Sequence, residues 1–274
     1  MQAHPMHTAM VARSAAPGAL RAIRRRWLLA VVGCALANAG LHVRAAPVVP
    51  SAGGLDDDKP PGVLPARVPP SLRLVFGMRS GLLRGQAELV YQRQDNVYRM
   101  DLRGRAIGLD ILHLSSRGRI GAHGFEPERY ADQRLSRAAR VAEFDRASGH
   151  IRYAGSETTR TLSPGCQDRL TWMLQLSGVL DAVPALRQPG SELAFLVSGA
   201  RTDLDVWRFV VHGLEPVTPD SGAALQALRL TRSPRRPRDT EVEIWLDPAR
   251  GFLPVRARLT TMPDGDTLEL SLRA

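Results

Sequence analysis

Cysteine is scarce in this sequence, with two among 274 residues. Cys34 lies in the amino-terminal leader described below, so Cys166 alone follows it. Because one cysteine cannot form an internal disulfide bond, the class of small secreted domains held together by disulfides is excluded. The folded part must instead be stabilised by burying apolar side chains, and 44% of the residues are hydrophobic.

Lysine is scarcer still, since Lys59 is the only one and every other basic residue among the 37 is an arginine. The formal net charge of +10 would by itself suggest a nucleic-acid partner. Residues 1–45, however, hold six arginines and no acidic residue, which leaves 31 basic against 27 acidic residues in the rest. A charge this close to balance does not favour nucleic-acid binding, and we predict none.

Long apolar runs are absent as well. A helix that crosses a bilayer takes about 20 apolar residues, whereas the apolar segment of the leader covers only residues 27–37. It follows a cluster of basic residues, Arg21, Arg24, Arg25 and Arg26. A basic segment followed by a short apolar one is typical of a secretory signal, so we predict a signal peptide over residues 1–45, and export.

Two processing sites remain open in the leader. Cleavage after Ala45, with Val43 at the other position that a signal peptidase inspects, releases a soluble periplasmic protein. Residues 31–34 resemble a lipobox instead, in which Cys34 carries the lipid and the product is a membrane-anchored lipoprotein. We expect the soluble product, and membrane contact only if Cys34 is lipidated.

The segment after the leader, residues 46–70, contains seven prolines and the acidic run 56–58. Such a composition cannot bury enough apolar surface to fold, so we predict a disordered tether there. A single folded domain is expected over residues 71–274.

Short runs that alternate apolar and polar residues fill this domain and predict antiparallel strands. Leu72, Leu74 and Phe76 share one face, and residues 89–91 and 97–102 flank a turn as in a hairpin. Further strands are predicted at residues 107–116, 139–145, 150–160, 192–198, 203–212, 224–231, 240–247, 253–261 and 266–273. We expect a mostly β fold, an antiparallel meander that forms a curved sheet or an open barrel.

One segment has a helical period instead, since Leu170, Met173 and Leu174 share a face within residues 167–176. Pro164 ahead of this segment and Gly178 near its end are typical helix boundaries. We predict one α-helix that packs against the sheet.

Four short motifs resemble those of a known family. They are residues 124–130, residues 141–145, Asp168 at the predicted helix start, and the pair 244–247 and 253–256. Their order and spacing over about residues 70–274 are similar to those of the exported bacterial family called domain of unknown function 3108, which tends to have serine where this chain has Thr171. The resemblance implies an exported, mostly antiparallel β protein without an established activity.

Asp168 is the first candidate site residue. A carboxylate at the start of a helix can accept hydrogen bonds from free amide groups, or it can serve a ligand or a reaction, and both interpretations stay open. Trp172, Trp207 and Trp245 are candidates for lining an apolar ligand pocket, although packing between helix and sheet is the commoner use of such residues.

Arginines crowd the stretch before residue 240, where Pro234 and Pro237 predict a loop. The loop is either simply solvated or binds an anionic envelope component, such as lipid head groups, lipopolysaccharide phosphates or acidic glycans. The candidate residues for this anionic contact are Arg229, Arg232, Arg235, Arg236 and Arg238.

The histidines that follow the leader have no metal-binding spacing, so we predict neither a metal nor a cofactor. We expect an exported envelope protein that is not an enzyme and that binds a lipid-like or other apolar ligand. The alternative is an envelope hydrolase or glycan-processing enzyme that pairs Asp168 with a second carboxylate. The candidates for that second group are Glu126, Glu128 and Asp145.

Overall fold

A computed structural model describes residues 61–135, 137–237, 239–262 and 265–273. The predicted signal peptide, with Cys34 and both processing sites, lies outside the described residues, and so does most of the predicted tether.

The described residues form fifteen strands, more than the sequence predicts. The bounds are β1 (Leu72–Ser80), β2 (Leu83–Gln94), β3 (Val97–Ala106), β4 (Leu109–Gly121), β5 (Gly124–Arg134), β6 (Arg140–Asp145), β7 (His150–Tyr153), β8 (Thr159–Thr161), β9 (Gln167–Asp168), β10 (Glu192–Ser198), β11 (Leu204–Val217), β12 (Leu225–Arg232), β13 (Thr240–Asp247), β14 (Leu253–Thr261) and β15 (Asp266–Leu272). One α-helix, α1 (Trp172–Ala182), and two short 3-10 helices, Pro184–Arg187 and Pro248–Arg250, complete the described elements.

All fifteen strands belong to one sheet, in which two meanders are joined side by side. Its order is β8-β7-β6-β5-β4-β3-β2-β1-β15-β14-β13-β12-β11-β10-β9, so the first and last strands of the domain are neighbours. Every pairing is antiparallel except the short parallel one between β9 and β10. The predictions of a mostly β fold, a curved antiparallel sheet and one α-helix are confirmed.

The sheet curves strongly around α1. The helix contacts both β5 and β14, although five strands lie between these two in the sheet. In a flat sheet they would be about 29 Å apart, at about 4.8 Å per strand, whereas a helix is only about 10 Å wide. Residues 172–180 are all buried, so α1 occupies the concave side of the sheet as a core element.

The alternation that predicts the strands is visible in β3. Tyr98, Met100 and Leu102 are buried on the concave side, while Arg99 and Arg103 are exposed on the convex side. The sequence analysis predicts no strand at β5, where Pro127 cannot donate a ladder hydrogen bond. Pro127 pairs with Gly118 beside a register shift, and a bulge at such a place tolerates proline.

The predicted bounds of the helix are wrong at both ends. Gln167 and Asp168 form β9 instead of the first turn, and the helix begins at Trp172. It continues past Gly178 to Ala182. Gly178 serves a close approach of backbone, because a Cβ atom there would lie 2.9 Å from the carbonyl oxygen of Arg67.

Residues 61–70, the end of the predicted tether, contact the domain. The amide of Arg67 donates to the carbonyl oxygen of Gly178 at 2.8 Å, and its guanidinium lies 2.9 Å from the carboxylate of Asp181. The composition did not predict these contacts, because the partners come from α1, more than a hundred residues further along the chain.

Candidate functional site

Asp168 ends β9, and both oxygens of its carboxylate accept hydrogen bonds from the protein. Oδ1 accepts from the amides of Leu170 and Thr171, each at 2.8 Å, and Oδ2 accepts from the hydroxyl of Ser116 at 2.5 Å. The amide of Asp168 donates in return to Oγ1 of Thr171 at 3.1 Å. The carboxylate therefore holds free amide groups just ahead of α1, as one of the two sequence interpretations predicts.

The same carboxylate ties the sheet edge at β9 to β4. Ser116 lies on β4 and is buried, and its hydroxyl also lies 2.8 Å from that of Tyr98. Burial raises the pKa of Asp168 to about 6, against the hydrogen bonds from Ser116 and the two amides, which lower it. Burial likewise raises the pKa of Tyr98 well above its ordinary range, and the nearby Asp168 adds to this.

The candidates for a second catalytic carboxylate have partners other than Asp168. Glu126 pairs with an arginine at 3.8 Å, and Glu128 with another at 3.2 Å. Asp145 accepts from the amides of two turn residues, which lowers its pKa. Asp168 itself accepts from a hydroxyl group and two amide groups. These contacts use its carboxylate to hold β4 and the residues before α1 together, and they do not present it to a substrate.

Two of the three candidate tryptophans lie together. The rings of Trp172 and Trp207 are 5.3 Å apart, each residue is 1% exposed, and Phe209 stacks on Trp172 at 5.4 Å. The guanidinium groups of Arg169 and Arg232 lie 4.7 and 4.6 Å from the Trp207 ring. The site is thus an aromatic core between helix and sheet, with cations over one ring.

Trp245 lies elsewhere. It pairs in register with Arg229 and Arg256 on the neighbouring strands, and their guanidinium groups are 5.8 and 5.1 Å from its ring. Its indole NH donates to Glu215. Because side chains alternate along β13, Trp245 faces away from the concave side that its neighbours Ile244 and Leu246 help to fill.

The predicted arginine surface is largely an internal ion-pair network. Arg232 is 1% exposed and lies 2.8 Å from Asp239 and 3.1 Å from Asp205, so it is not available to an envelope surface. Burial alone would raise the pKa of Asp239, but the contacts with Arg232 lower it below its ordinary value.

The other arginines of that stretch also meet carboxylates. Arg235 and Arg236 lie 3.7 and 3.6 Å from Asp205, and Arg229 lies 2.7 Å from Glu243. Arg238 lies outside the described residues.

A different set of arginines on the convex side of the sheet forms no ion pair within the described ranges, although one of them, Arg103, lies opposite Glu88 in the β2–β3 register. We call this set the basic face; its members are Arg84 on β2, Arg99 and Arg103 on β3, and Arg117 on β4. All four side chains are exposed, and within the described ranges none of them takes part in an ion pair or hydrogen bond. Arg99 and Arg117 are direct partners in the β3–β4 register.

The carboxylates around the basic face already have partners. Those on the same side of β2 to β5 pair with other residues: Glu88 with Arg73, Asp101 with His113, Asp110 with Arg105, Glu126 with Arg146, and Glu128 with Arg119. A groove of about 510 Å³ runs beside Arg103 and is also lined by Gln86, Glu88, Arg105 and Asp110. The sequence patterns above did not predict this site, although arginines on one face of two predicted neighbouring strands were a usable signal.

A second depression is much smaller than the groove. A depression of about 10 Å³ lies between residues 61–64 and β10, which is room for about one water molecule. Asp168 and the three candidate tryptophans line neither this depression nor the groove. No helix in the described ranges has the length and apolar character to span a membrane, and no three metal-ligating side chains come together there.

The comparison with protein families agrees with the resemblance noted in the sequence. A family model described as "Protein of unknown function (DUF3108)" matches residues 73–272. A similar crystal structure is that of a "Beta-barrel-like Protein of Domain of Unknown Function DUF1849" from Brucella abortus, with a TM-score of 0.49. The sequence of that protein is 13% identical to this one, and the match covers 76% of this chain and 97% of that one. No curated protein matches the chain.

Proposed function

We propose, from the geometry of the basic face, a function for this chain, which belongs to the DUF3108 family of proteins of unknown function. The protein is exported to the envelope, is not an enzyme, and binds the phosphate groups of an envelope glycolipid on its basic face. The observation that carries the proposal is the pair Arg99 and Arg117, two exposed like charges that stand opposite one another without an acidic partner.

Such a pair is unfavourable for the free protein. Directly opposed residues of an antiparallel pair have Cα atoms about 5 Å apart, and like charges at that distance destabilise the sheet. Neighbouring carboxylates could have relieved the repulsion, but Glu128 pairs with Arg119 and Asp101 with His113. A ligand that brings negative charge to Arg99 and Arg117 removes this cost.

Phosphate suits these arginines better than a carboxylate or a neutral sugar does. The planar guanidinium group binds phosphate oxygens through two parallel hydrogen bonds, and a phosphate monoester carries up to two negative charges. Arg103 stands four residues beyond Arg99, about 13 Å along β3, at the edge of the groove. This spacing allows one glycolipid to place two phosphate groups on the face and its sugars in the groove.

Export is supported by the leader, in which a basic segment precedes a short apolar one. We propose cleavage after Ala45 and a periplasmic product, with lipidation at Cys34 as the alternative. Cell fractionation of the wild type and Cys34→Ser tests the choice. An unchanged soluble fraction supports cleavage after Ala45, whereas labelled palmitate in the wild type but not in the variant identifies a lipoprotein.

Binding is tested by calorimetry with purified lipopolysaccharide and with the same material after removal of its phosphates. We expect the double variant Arg99→Gln/Arg117→Gln to bind the intact glycolipid at least tenfold more weakly than the wild type, and with a smaller dependence on salt. Arg152→Gln/Arg250→Gln is the matched control, because both side chains are exposed and it removes the same charge from other parts of the surface.

Two results would overturn the proposal. Equal binding of intact and dephosphorylated glycolipid would exclude phosphate as the recognised group. Equal loss in both double variants would show that net charge, and not the opposed pair, governs binding.

An apolar ligand on the concave side stays a separate prediction. It would have to displace α1, because Trp172 and Trp207 are packed against each other and residues 172–180 are all buried. Native mass spectrometry of protein taken from its own envelope tests this, and a lipid recovered with the protein would require a second, open conformation.

A further inference from the structure

Three neighbouring hairpin turns lie at one end of the sheet. They join β1 to β2, β3 to β4, and β14 to β15, and these six strands stand side by side as β4-β3-β2-β1-β15-β14. The register places the turns at the same end, because β1 ends beside the start of β15 and β2 begins beside the end of β3. Strands lie about 4.8 Å apart, so successive turns are about 10 Å apart.

Each of these turns exposes a large apolar side chain. Leu82 in the β1–β2 turn is 95% exposed, and Ile107 in the β3–β4 turn is 63% exposed. Leu109 beside Ile107 and Met262 in the β14–β15 turn are exposed as well. We call these four residues the apolar rim. Apolar side chains that are scattered singly over a surface are ordinary, but a row across three adjacent turns is typical of a contact with another surface.

Ile107 is unfavourable for the turn that carries it. Its φ is 47° and that of Gly108 is 77°, so both central residues of this two-residue turn are left-handed. A β-branched side chain is strained there, and asparagine followed by glycine is the sequence that such turns favour. The turn would be more stable with asparagine, so folding does not account for an isoleucine at this place.

Arginines stand directly behind the apolar rim. Arg79 and Arg84 are exposed and opposed in the β1–β2 register, within three residues of Leu82. In the part of the chain that the structure describes, Arg84 forms no ion pair. Asp220 lies 3.9 Å from Arg79 but 3.5 Å from Arg273. Apolar tips followed by cations are complementary to the two layers of an anionic bilayer surface, the acyl chains and the phosphate head groups.

We propose that the apolar rim inserts into the surface of an anionic phospholipid bilayer, with Arg79 and Arg84 on the head groups. The four side chains expose too little area for a stable protein interface, which takes about 800 Å² on each partner. A fluid bilayer accepts separate points of insertion. The contact needs no lipid on Cys34, which the sequence analysis took as the condition for membrane contact.

This site is separate from the opposed pair of the basic face. Arg99 lies eight residues before Ile107 along β3, which is about 26 Å. Charges farther apart than about 8 Å are largely screened at physiological salt. Arg99 and its partner Arg117 are therefore too remote to contribute to binding of head groups at the rim.

Sedimentation with phospholipid vesicles measures the contact. The protein is the processed form proposed above, residues 46–274, and the vesicles contain phosphatidylcholine alone or with an equal part of phosphatidylglycerol. We expect the wild type to bind the anionic vesicles, more weakly as salt is added. Leu82→Ser/Ile107→Asn should bind them at least about tenfold more weakly.

Val97→Ser/Leu214→Ser is the matched control. Both side chains are exposed and apolar but lie outside the rim, so this variant should bind vesicles as the wild type does. Ile107→Asn alone should raise the melting temperature by about 2–4 °C, because it relieves the strain in the turn, and should still weaken vesicle binding. Damage to the fold does not produce that combination.

A label at position 82 gives an independent readout. Leu82→Cys carries an environment-sensitive fluorophore, whose emission should shift to the blue when anionic vesicles are added. The same label on Val97→Cys should not respond. Cys166 is buried and does not compete for the label.

Equal vesicle binding by the wild type and Leu82→Ser/Ile107→Asn, or no shift of the label at position 82, would rule out insertion of the rim. Self-association of the wild type that Leu82→Ser/Ile107→Asn abolishes, without binding to vesicles, would make the rim an interface between copies of the chain instead. Because the vesicles contain no glycolipid and the rim variant keeps Arg99 and Arg117, failure of either proposal leaves the other standing.

Discussion

The buried carboxylate of Asp168 predicts an unusual dependence of stability on pH. Its pKa in the folded protein is about 6, against an ordinary value of 3.8, because burial disfavours the charged form. A carboxyl group with a raised pKa binds its proton more tightly in the folded state. Its contribution to the free energy of unfolding is therefore fully present below about pH 4 and is lost as the pH rises through about 6.

The size of this loss follows from the same values. The difference between about 6 and 3.8 corresponds to about 3 kcal/mol, at about 1.4 kcal/mol for each pH unit. Asp168→Asn keeps an acceptor for the amides of Leu170 and Thr171 but has no charge to bury. Because part of this change lies below pH 4, the free energy of unfolding of the wild type minus that of Asp168→Asn should fall by about 2 kcal/mol between pH 4 and pH 7.

Urea unfolding followed by tryptophan fluorescence measures this difference at each pH. Other titrating groups affect both proteins alike, so they cancel in the subtraction. Asp95→Asn is the control for loss of one carboxylate elsewhere, since Asp95 is exposed in a turn with φ of 52° that asparagine tolerates. A difference that stays flat, or that rises with pH, would refute the assignment of a raised pKa to Asp168.

Two further predictions concern packing and ion pairs. Gly178→Ala would stabilise an ordinary helix by about 1 kcal/mol, but here the new Cβ atom would lie 2.9 Å from the carbonyl oxygen of Arg67. We expect trypsin to cut after Arg67 faster than in the wild type, and an unchanged rate would contradict the close approach. Arg232→Ala leaves Asp205 and Asp239 without their buried cation and should lower the free energy of unfolding by about 3–5 kcal/mol, measured in urea. Arg232→Lys should lose less, since it keeps the charge but not the geometry, and a loss below about 1 kcal/mol for the alanine variant would contradict this account.

The strands of the second meander could be predicted closely from the sequence. β10 and β13 have the predicted bounds, because alternation of side chains is a local property that each segment carries by itself. β5 could not be predicted in this way, since Pro127 argues against a strand until Gly118 of the neighbouring strand provides a bulge. Gly178 misled the prediction of the helix end for the same kind of reason, because its partner Arg67 is remote in sequence.

For the candidate site, the sequence by itself determined which groups carry charge and which faces of the strands they occupy. It predicted that Asp168 can accept from free amides, because those amides lie two and three residues away. Only the tertiary structure decided that the third donor is Ser116, that Arg232 is buried between carboxylates, and that Arg99 faces Arg117. Each of these contacts joins residues from different strands, and the partner of a side chain across a curved sheet depends on register and closure, which no local pattern specifies.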